Sequence, residues 1–268
     1  MTSIYQVDAF ADAAFTGNPA AVCPLAGPAP EVWMQALATE MNLSETAFLW
    51  PEGEVRRLRW FTPAAEVELC GHATLAGAHV LWETGAIDQD SPAVFQTLSG
   101  ELRARREGAL IVLDFPALEG GPAEAPDGLV EALGVEPRAL SRARFDLLVE
   151  VECEEAVRNL TPDFAALKRV DSRGIIVTAA GDGEYDFVSR FFAPRLGIDE
   201  DPVTGSAHCQ LTPYWSARLG KAEMLAFQAS PRGGEVHVAL RGDRVELGGQ
   251  AVTIMRGELS AQVAATHD

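Results

Sequence analysis

The sequence lacks long apolar runs and is poor in basic residues. No stretch approaches the ~18 consecutive apolar residues of a membrane helix, so no membrane span is expected. Residues 2–5 show no basic segment followed by an apolar one, which predicts a cytoplasmic protein without a signal peptide. Lys and Arg number 21 against 39 Asp and Glu, giving a net charge of −18. An acidic surface repels phosphate backbones and argues against nucleic acid as a partner.

Paired cysteines and nucleotide-binding signatures are also missing. No CxxC pair occurs, so four reduced thiols are expected rather than a zinc or redox motif. No His, Asp or Glu spacing resembles a set of metal ligands, and no GxGxxG turn, P-loop lysine or GxSxG elbow is present. We therefore expect no metal, no cofactor and no serine-hydrolase chemistry. The cysteines are Cys23, Cys70, Cys153 and Cys209.

The sequence does contain an internal repeat. Gly71 and Gly205, each in a tight turn after a Phe-x-Pro motif, lie 134 positions apart, half the chain length. Phe-Gln pairs at 95–96 and 227–228 follow at nearly the same spacing. The repeat predicts a tandem duplication. The expected lobes are residues 1–118 and 129–260, joined by the Pro/Gly-rich stretch 116–128, with the last strand in the second lobe or returned to the first.

Hydrophobic periodicity predicts the elements of each lobe. Pro30 precedes an amphipathic helix, whereas the helix after Gly71 is apolar nearly all round and should be buried. Thr161-Pro162 predicts another helix start, and residues 264–268 are expected to fray. A sheet around a central helix indicates an α+β fold. Helices are predicted at Glu31–Met41, His72–Trp82 and Ala207–Arg218. Strands are predicted at Ile4–Phe10, Thr46–Trp50, Leu58–Thr62, Val94–Thr97, Glu101–Arg106, Leu110–Phe115, Leu147–Val151, Gly174–Thr178, Asp186–Phe192, His237–Leu240, Arg244–Leu247 and Val252–Arg256.

The two repeated turns are candidate anion sites. Gly71 and Gly205 each begin a predicted helix, and first-turn N–H groups stabilise an anion by roughly 0.3–1 kcal/mol. Two related lobes would bring both helix ends to one cleft, giving an anion site inside an acidic protein. The alternative is that these glycines only allow a strand to pack closely on a helix.

Glu45 is a candidate base because it lies at the mouth of the predicted strand Thr46–Trp50, although Glu is a poor strand former. Leu43 and Phe48 would partly desolvate its carboxylate, which suits proton transfer from carbon. The alternative is a surface Glu at a loop edge.

His72, Asp201 and Cys70 flank the same turns. His72 is read as a ligand contact or a core histidine, and Asp201, before Pro202, as a site residue or a turn former. Cys70 stands at a helix N-terminus, where the dipole would lower the pKa of its thiol.

Four segments in order resemble the PhzF-like family, named after phenazine biosynthesis protein F. They are Gly-Asn-Pro-Ala-Ala-Val at 17–22, Asn-Leu-Ser-Glu-Thr-Ala-Phe at 42–48, Phe-Thr-Pro at 61–63 with Cys-Gly-His-Ala-Thr at 70–74, and Glu-Asp-Pro-Val-Thr-Gly-Ser-Ala-His at 200–208. The resemblance implies an α+β, duplicated two-lobe fold like diaminopimelate epimerase, each lobe a barrel-like sheet around a central helix. It also implies a homodimer, with the site in the cleft between the lobes.

The same resemblance implies an isomerase that works without a cofactor on a small carboxylate-bearing substrate. The phenazine member moves a proton on the ring of dihydro-3-hydroxyanthranilate. Glu45 would be the acid/base, with His72 and Asp201 as partners. Substrate contacts would come from Asn18, Ser44, Gly71, Gly205 and Ser206.

One departure concerns the epimerase relatives, which use a cysteine before each turn glycine. Here Cys70 precedes the first glycine and Thr204 the second. A Thr hydroxyl is too weak an acid to replace a thiol, so the two-thiol mechanism of the epimerases is not expected in this chain. Two alternatives stay open: an amino-acid racemase or epimerase using Glu45 or Cys70, and a non-catalytic small-acid-binding protein.

Overall fold

Contacts divide the chain into two units in the computed structural model, which describes residues 2–263. The first unit holds the described residues up to Asp114 and again from Gly248 onward, and the second runs from Phe115 to Leu247. These limits differ from the expected lobes 1–118 and 129–260. The stretch 116–128 belongs to the second unit because part of it adds a strand to that unit's sheet. The tail expected to fray, 264–268, lies outside the described residues.

Each unit is built mainly from strands. The first contains strands β1 (Ser3–Ala9), β2 (Asn18–Pro24), β3 (Glu45–Glu52), β4 (Val55–Phe61), β5 (Glu66–Val67), β6 (Ala93–Thr97), β7 (Gly100–Glu107) and β8 (Leu110–Pro116), with helices α1 (Glu31–Met41) and α2 (Gly71–Glu83). The second contains strands β9 (Gly121–Pro122), β10 (Ala139–Arg142), β11 (Asp146–Glu150), β12 (Gly174–Ala180), β13 (Phe187–Ala193), β14 (Ile198–Asp201), β15 (Glu223–Gln228), β16 (Gly234–Arg241) and β17 (Arg244–Gly249), with helices α3 (Leu129–Leu133), α4 (Glu154–Arg158), α5 (Phe164–Leu167) and α6 (Gly205–Leu219). The final strand, β18 (Ala251–Glu258), lies in the first unit.

The sheet of the first unit runs in the order β18-β1-β2-β3-β4-β6-β7-β8, with β5 also on β4. Only the pairs β2–β3 and β4–β6 are parallel within this described order. Parallel neighbours need a crossover connection, and α1 and α2 lie in the two crossovers. The C-terminal strand thus completes the sheet at the strand that opens the chain.

The sheet of the second unit follows the same plan in the order β9-β10-β11-β12-β13-β15-β16, with β14 also on β13. Its parallel pairs are β11–β12 and β13–β15. Short helices α4 and α5 lie in one crossover and α6 in the other. The same succession of parallel and antiparallel pairs confirms the duplication predicted from the repeated turns.

A buried helix packs on the sheet in each unit. Ten of the thirteen residues of α2 are buried, as its apolar sequence predicts, and it contacts β1, β2 and β3. In α6, Trp215 donates to Thr178 of β12 at 3.0 Å, and Gln210 donates to the Ser141 carbonyl of β10 at 3.3 Å. Within the range 2–263, no helix combines the length and apolar character needed to cross a membrane.

Three local predictions meet different outcomes. Helix α1 spans Glu31–Met41 as predicted and ends at Asn42 in a left-handed conformation. Strand β2 was not predicted from its Asn-Pro-Ala-Ala start. The helix start at Thr161-Pro162 is wrong, because the Asp163 side chain accepts the Ala166 amide at 2.9 Å and caps α5.

Candidate active site

Two parallel strands bring Asn18 and Glu45 to one edge of the first unit's sheet. Ala20 of β2 pairs with Glu45, the first residue of β3, and Asn18 lies two residues upstream on β2. The turn before β2 requires glycine: Gly17 has φ +64°, and a Cβ there would stand 2.3 Å from the Ala9 carbonyl oxygen. The Gly-Asn pair therefore places a polar side chain at the edge where β3 also begins.

Helix α2 adds the remaining groups through its first turn. Cys70 is the extended N-cap residue, Gly71 begins the helix, and His72 follows. The Thr74 hydroxyl donates to the Cys70 carbonyl at 2.5 Å, which ties the cap to the helix. Both Cys70 and His72 are buried, so the turn directs a thiol and an imidazole into the protein.

His72 is the centre of the resulting contacts. Its Nε2 lies 3.1 Å from Oε2 of Glu45, and its Nδ1 lies 3.2 Å from Nδ2 of Asn18 and 3.5 Å from Sγ of Cys70. The Nε2–Oε2 contact is an ion pair, and neither atom has a hydrogen-bond partner among the described residues. In the neutral ring, an amide nitrogen facing Nδ1 makes Nδ1 the acceptor, and the single ring proton then lies on Nε2, facing Glu45.

Burial and charge compete at His72. The side chain is 6% exposed and that of Glu45 13%. Burial alone would lower the pKa of His72, but the Cys70 sulfur and the Glu45 carboxylate outweigh it and raise that pKa well above its ordinary value. The ring therefore carries a proton beside an acidic side chain.

The thiol of Cys70 behaves differently from the sequence-based expectation. Burial, and then the Glu45 carboxylate, raise the pKa of Cys70 to about 11. The predicted lowering by the helix dipole is therefore wrong. The dipole effect is small, whereas a buried thiolate next to a carboxylate is strongly disfavoured.

Together Glu45, Cys70 and His72 form a cluster, each offering one ligand atom within 4.8 Å of the others. No metal-ligand spacing was found in the sequence, so this grouping of three donor atoms was not predicted. Glu45 comes from a strand and the other two residues from a helix start, so their proximity is a property of the fold.

The second unit has its own polar network at the repeated turn. The Thr204 hydroxyl donates to the Asp201 carboxylate. Gln228 donates to the Asp201 carbonyl at 2.7 Å and accepts the Thr204 amide at 2.9 Å. Gln228 was not among the predicted site residues, although the repeated Phe-Gln pair at 227–228 was a signal for it.

The other predicted residues are distributed over both units. Ser206 accepts from Arg173 at 3.0 Å, and Arg173 also forms a bidentate ion pair with buried Asp146. Arg173 was missed because no sequence motif surrounds it. Ser44 is partly exposed just before β3. Asn18 is fully buried and reaches His72, and Gly71 and Gly205 begin their helices as expected.

Family membership is decided by comparison with known proteins. The model of the phenazine biosynthesis-like protein family, PhzC-PhzF, matches residues 7–257. The chain belongs to this family. A PhzF-like relative from Halalkalibacterium halodurans, named an uncharacterized isomerase, is 53% identical over 96% of this chain and 98% of its own length. This PhzF-like chain is accordingly an isomerase.

Solved structures support the fold. A PhzF-family crystal structure from Enterococcus faecalis matches with a TM-score of 0.92 at 45% identity, covering 96% of this chain and 98% of that one. A probable proline racemase from Agrobacterium radiobacter matches with a TM-score of 0.67 at 12% identity, covering 97% and 93%, and bears on the fold alone. The predicted α+β, duplicated, diaminopimelate-epimerase-like fold of this PhzF-like chain is confirmed.

Proposed function

We propose that this PhzF-like isomerase moves a proton on a small carboxylate-bearing substrate without a cofactor, in the manner of a dihydro-hydroxyanthranilate isomerase. Glu45 is the acid/base. The observation that carries the proposal is the 3.1 Å approach of its carboxylate to the buried His72 ring. A partly buried carboxylate beside a protonated imidazole is suited to accept a proton from carbon and to give it back.

The proton inventory of the step is simple. The Glu45 carboxylate takes a proton from one substrate carbon, becomes a carboxylic acid, and returns the proton to another carbon. Asn18 holds the imidazole by its Nδ1, so we assign Asn18 a positioning role in addition to the substrate contact expected from sequence.

A racemase mechanism at Cys70 has less support. At a pKa of about 11 the thiol stays protonated near neutral pH, and a protonated thiol is not a base. The equivalent residue of the second repeat, Thr204, uses its hydroxyl to hold Asp201. The proposal therefore predicts transfer between carbons without inversion of a stereocentre.

Residues of the second unit enter the proposal through the family resemblance. Asp201, with its carboxylate oriented by Thr204 and its carbonyl by Gln228, is proposed as a second proton-handling partner. The helix N-termini at Gly71 and Gly205 are proposed to hold the substrate carboxylate, together with Ser44 and Ser206. We also propose a cytoplasmic homodimer with no nucleic-acid or membrane partner, for which light scattering should report twice the chain mass.

The decisive experiment measures deuterium uptake from heavy water into small cyclic carboxylic acids and amino acids. We expect the wild-type protein to exchange or relocate a carbon-bound proton in at least one compound. Glu45→Gln preserves shape and removes the base, so turnover should fall by about 10²–10⁴-fold while the compound still binds.

The matched control is Glu52→Gln, a change at the exposed far end of the same strand, which should leave turnover unchanged. Near-normal turnover in Glu45→Gln would remove Glu45 from the mechanism. Racemised product, seen by chiral chromatography, would favour the epimerase alternative. Binding without any proton exchange would favour a small-acid-binding protein.

A further inference from the structure

The Glu45–Cys70–His72 cluster contains the three kinds of donor that bind zinc. A carboxylate oxygen, a thiol sulfur and an imidazole nitrogen lie within 4.8 Å of one another. Zinc is typically held by four tetrahedral ligands, and sites with three protein ligands leave the fourth position to water. We propose that this cluster is a binding site for a thiophilic divalent cation of the zinc type, and that the bound ion inhibits the isomerase by occupying Glu45.

One pair of donor atoms in the cluster has the separation expected for two ligands of a tetrahedral zinc ion. Bonds of about 2.0–2.1 Å in a tetrahedral site put an oxygen and a nitrogen ligand about 3.3 Å apart. The observed separation of Glu45 Oε2 and His72 Nε2 is 3.1 Å. A sulfur ligand would stand about 3.6 Å from each of them. The Cys70 sulfur lies 3.5 Å from Nδ1 of the same ring, so its side chain must turn toward Nε2 to join the site.

The hydrogen bonding of the cluster also points to a missing ligand. Oε2 of Glu45 and Nε2 of His72 are buried, face each other, and have no hydrogen-bond partner among the described residues. Buried polar atoms nearly always have one, so these two atoms form an incomplete site. A cation between them would satisfy both.

Asn18 can support the bound state as well as the free state. A metal-bound imidazole usually donates its other N–H to a carbonyl or carboxylate. Turning the Asn18 amide by half a rotation would present Oδ1 to Nδ1 of His72, in place of the nitrogen now at 3.2 Å. From the protonated ring, zinc entry would release the His72 Nε2 proton and the Cys70 thiol proton to solvent, so the ion meets a thiolate and a neutral ring that keeps its Nδ1 proton.

The second repeat provides an internal contrast. Thr204 and Ser206 stand at the positions of Cys70 and His72, so the soft sulfur and nitrogen donors are replaced by hydroxyls. The net charge of −18 favours the approach of cations to the whole protein, but the donor chemistry selects the first unit.

The ion-binding arm of the test does not depend on the enzyme reaction. Purified protein is titrated with Co²⁺, which reports a thiolate ligand through a near-ultraviolet charge-transfer band. Zn²⁺ affinity is then measured against a chromogenic chelator. The wild-type protein should give the band. Cys70→Ser should abolish it and weaken Zn²⁺ binding by more than about 100-fold, because even losing the partner behind a ligand costs about 10–100-fold.

The matched control is Cys153→Ser, because Cys153 is also a helix N-cap residue and is less buried than Cys70. It should keep both the band and the affinity. His72→Gln and Glu45→Gln should each weaken Zn²⁺ binding, which tests the site even if Cys70→Ser folds poorly. A band that survives in Cys70→Ser, or Zn²⁺ affinity unchanged in all three cluster variants, would overturn the site.

The inhibitory arm rests on the proposed function and is read separately. Zn²⁺ should suppress deuterium exchange by the wild-type protein, and a chelator should restore it. Exchange that continues at saturating Zn²⁺ would overturn inhibition while leaving the metal site intact. If no compound exchanges at all, the proposed function fails, and the cobalt spectrum still decides the site.

Discussion

His72 and His208 both lie in buried helix positions, yet their pKa values move in opposite directions. His72 has a carboxylate beside it. His208 is fully buried, its Nδ1 donates to the Thr204 carbonyl at 2.9 Å, and its ring lies near Phe187. Burial lowers the pKa of His208 to about 4. The neighbouring charge, rather than depth, decides which histidine is protonated.

The lowered pKa of His208 predicts acid sensitivity. In the unfolded chain the His208 side chain becomes protonated near pH 6.5, the ordinary pKa of histidine. In the folded protein it stays neutral until the pH falls to about 4, because burial lowers its pKa. The stability from neutral His208 is therefore complete above 6.5 and is lost as pH falls through this window, by at most about 3 kcal/mol. His208→Asn keeps a donor for Thr204 and should flatten this slope in urea unfolding at several pH values.

The control for this measurement is His237→Asn, at an exposed strand position. It should keep the wild-type slope. A slope unchanged in His208→Asn would show that other groups cause the acid loss.

At the residue scale, the sequence singled out Glu45 and His72 as candidates because their motifs are local and ordered. It missed the raised pKa of Cys70, because a helix N-terminus can be predicted from sequence whereas burial next to Glu45 cannot. The sequence also predicted a substrate contact for Asn18. It could not show that the Asn18 amide would be fully buried and would contact His72. Contacts between residues far apart in the chain could not be predicted from local sequence motifs.

At the scale of elements, strong signals were reliable. The amphipathic α1 and the apolar α2 were predicted within one residue of their observed ends. Strand β2 lacks alternation, since five of its seven residues are buried, and its Asn-Pro start resembles a turn. The helix start near Thr161 was misplaced because the capping aspartate, Asp163, comes two residues later.

The turn before β2 makes a sharp prediction about glycine. Gly17 and Gly53 share φ +64°, but a Cβ at Gly17 would meet the Ala9 oxygen at 2.3 Å, whereas at Gly53 it would meet nothing within 4 Å. Gly53→Ala should cost about 1–2 kcal/mol from backbone strain alone. Gly17→Ala should cost about 3–5 kcal/mol, because strain and overlap add.

Thermal and urea unfolding of the two variants measure this difference. Gly17→Ala should also reduce proton exchange, because the turn positions Asn18. Equal losses of stability in the two variants would contradict the steric argument.

At the scale of the molecule, the second unit interrupts the first. The repeat predicted two lobes, and the order of strand pairs confirms the duplication. The sequence could not place the joins, because the stretch 116–128 reads as a linker by composition while its short strand β9 pairs with β10. Likewise, β18 is an ordinary strand by sequence, and only its pairing with β1 assigns it to the first unit.

This arrangement predicts the effect of truncation. Ending the chain after Leu247 removes β18 and its seven paired positions on β1, leaving β1 as an open edge. We expect loss of cooperative unfolding and poor solubility. Ending after Leu259 keeps β18 and the Leu259–Thr2 backbone bond. Among the described residues, the contact it removes from the rest of the protein is the exposed Trp33–Val263 bond, worth about 1 kcal/mol. Calorimetry of both proteins tests this, and a wild-type melting temperature in the shorter protein would refute it.

The interrupted first unit also has a consequence during synthesis. Residues 115–247 must leave the ribosome before β18 does, which takes roughly 7–27 s at about 5–20 residues per second. Throughout that interval the nascent chain already holds Glu45, Cys70 and His72, but β1 still lacks the neighbour that closes its sheet. A stalled or prematurely terminated polypeptide therefore exposes a strand edge that can recruit other chains, so translation errors should yield aggregates rather than a partial enzyme.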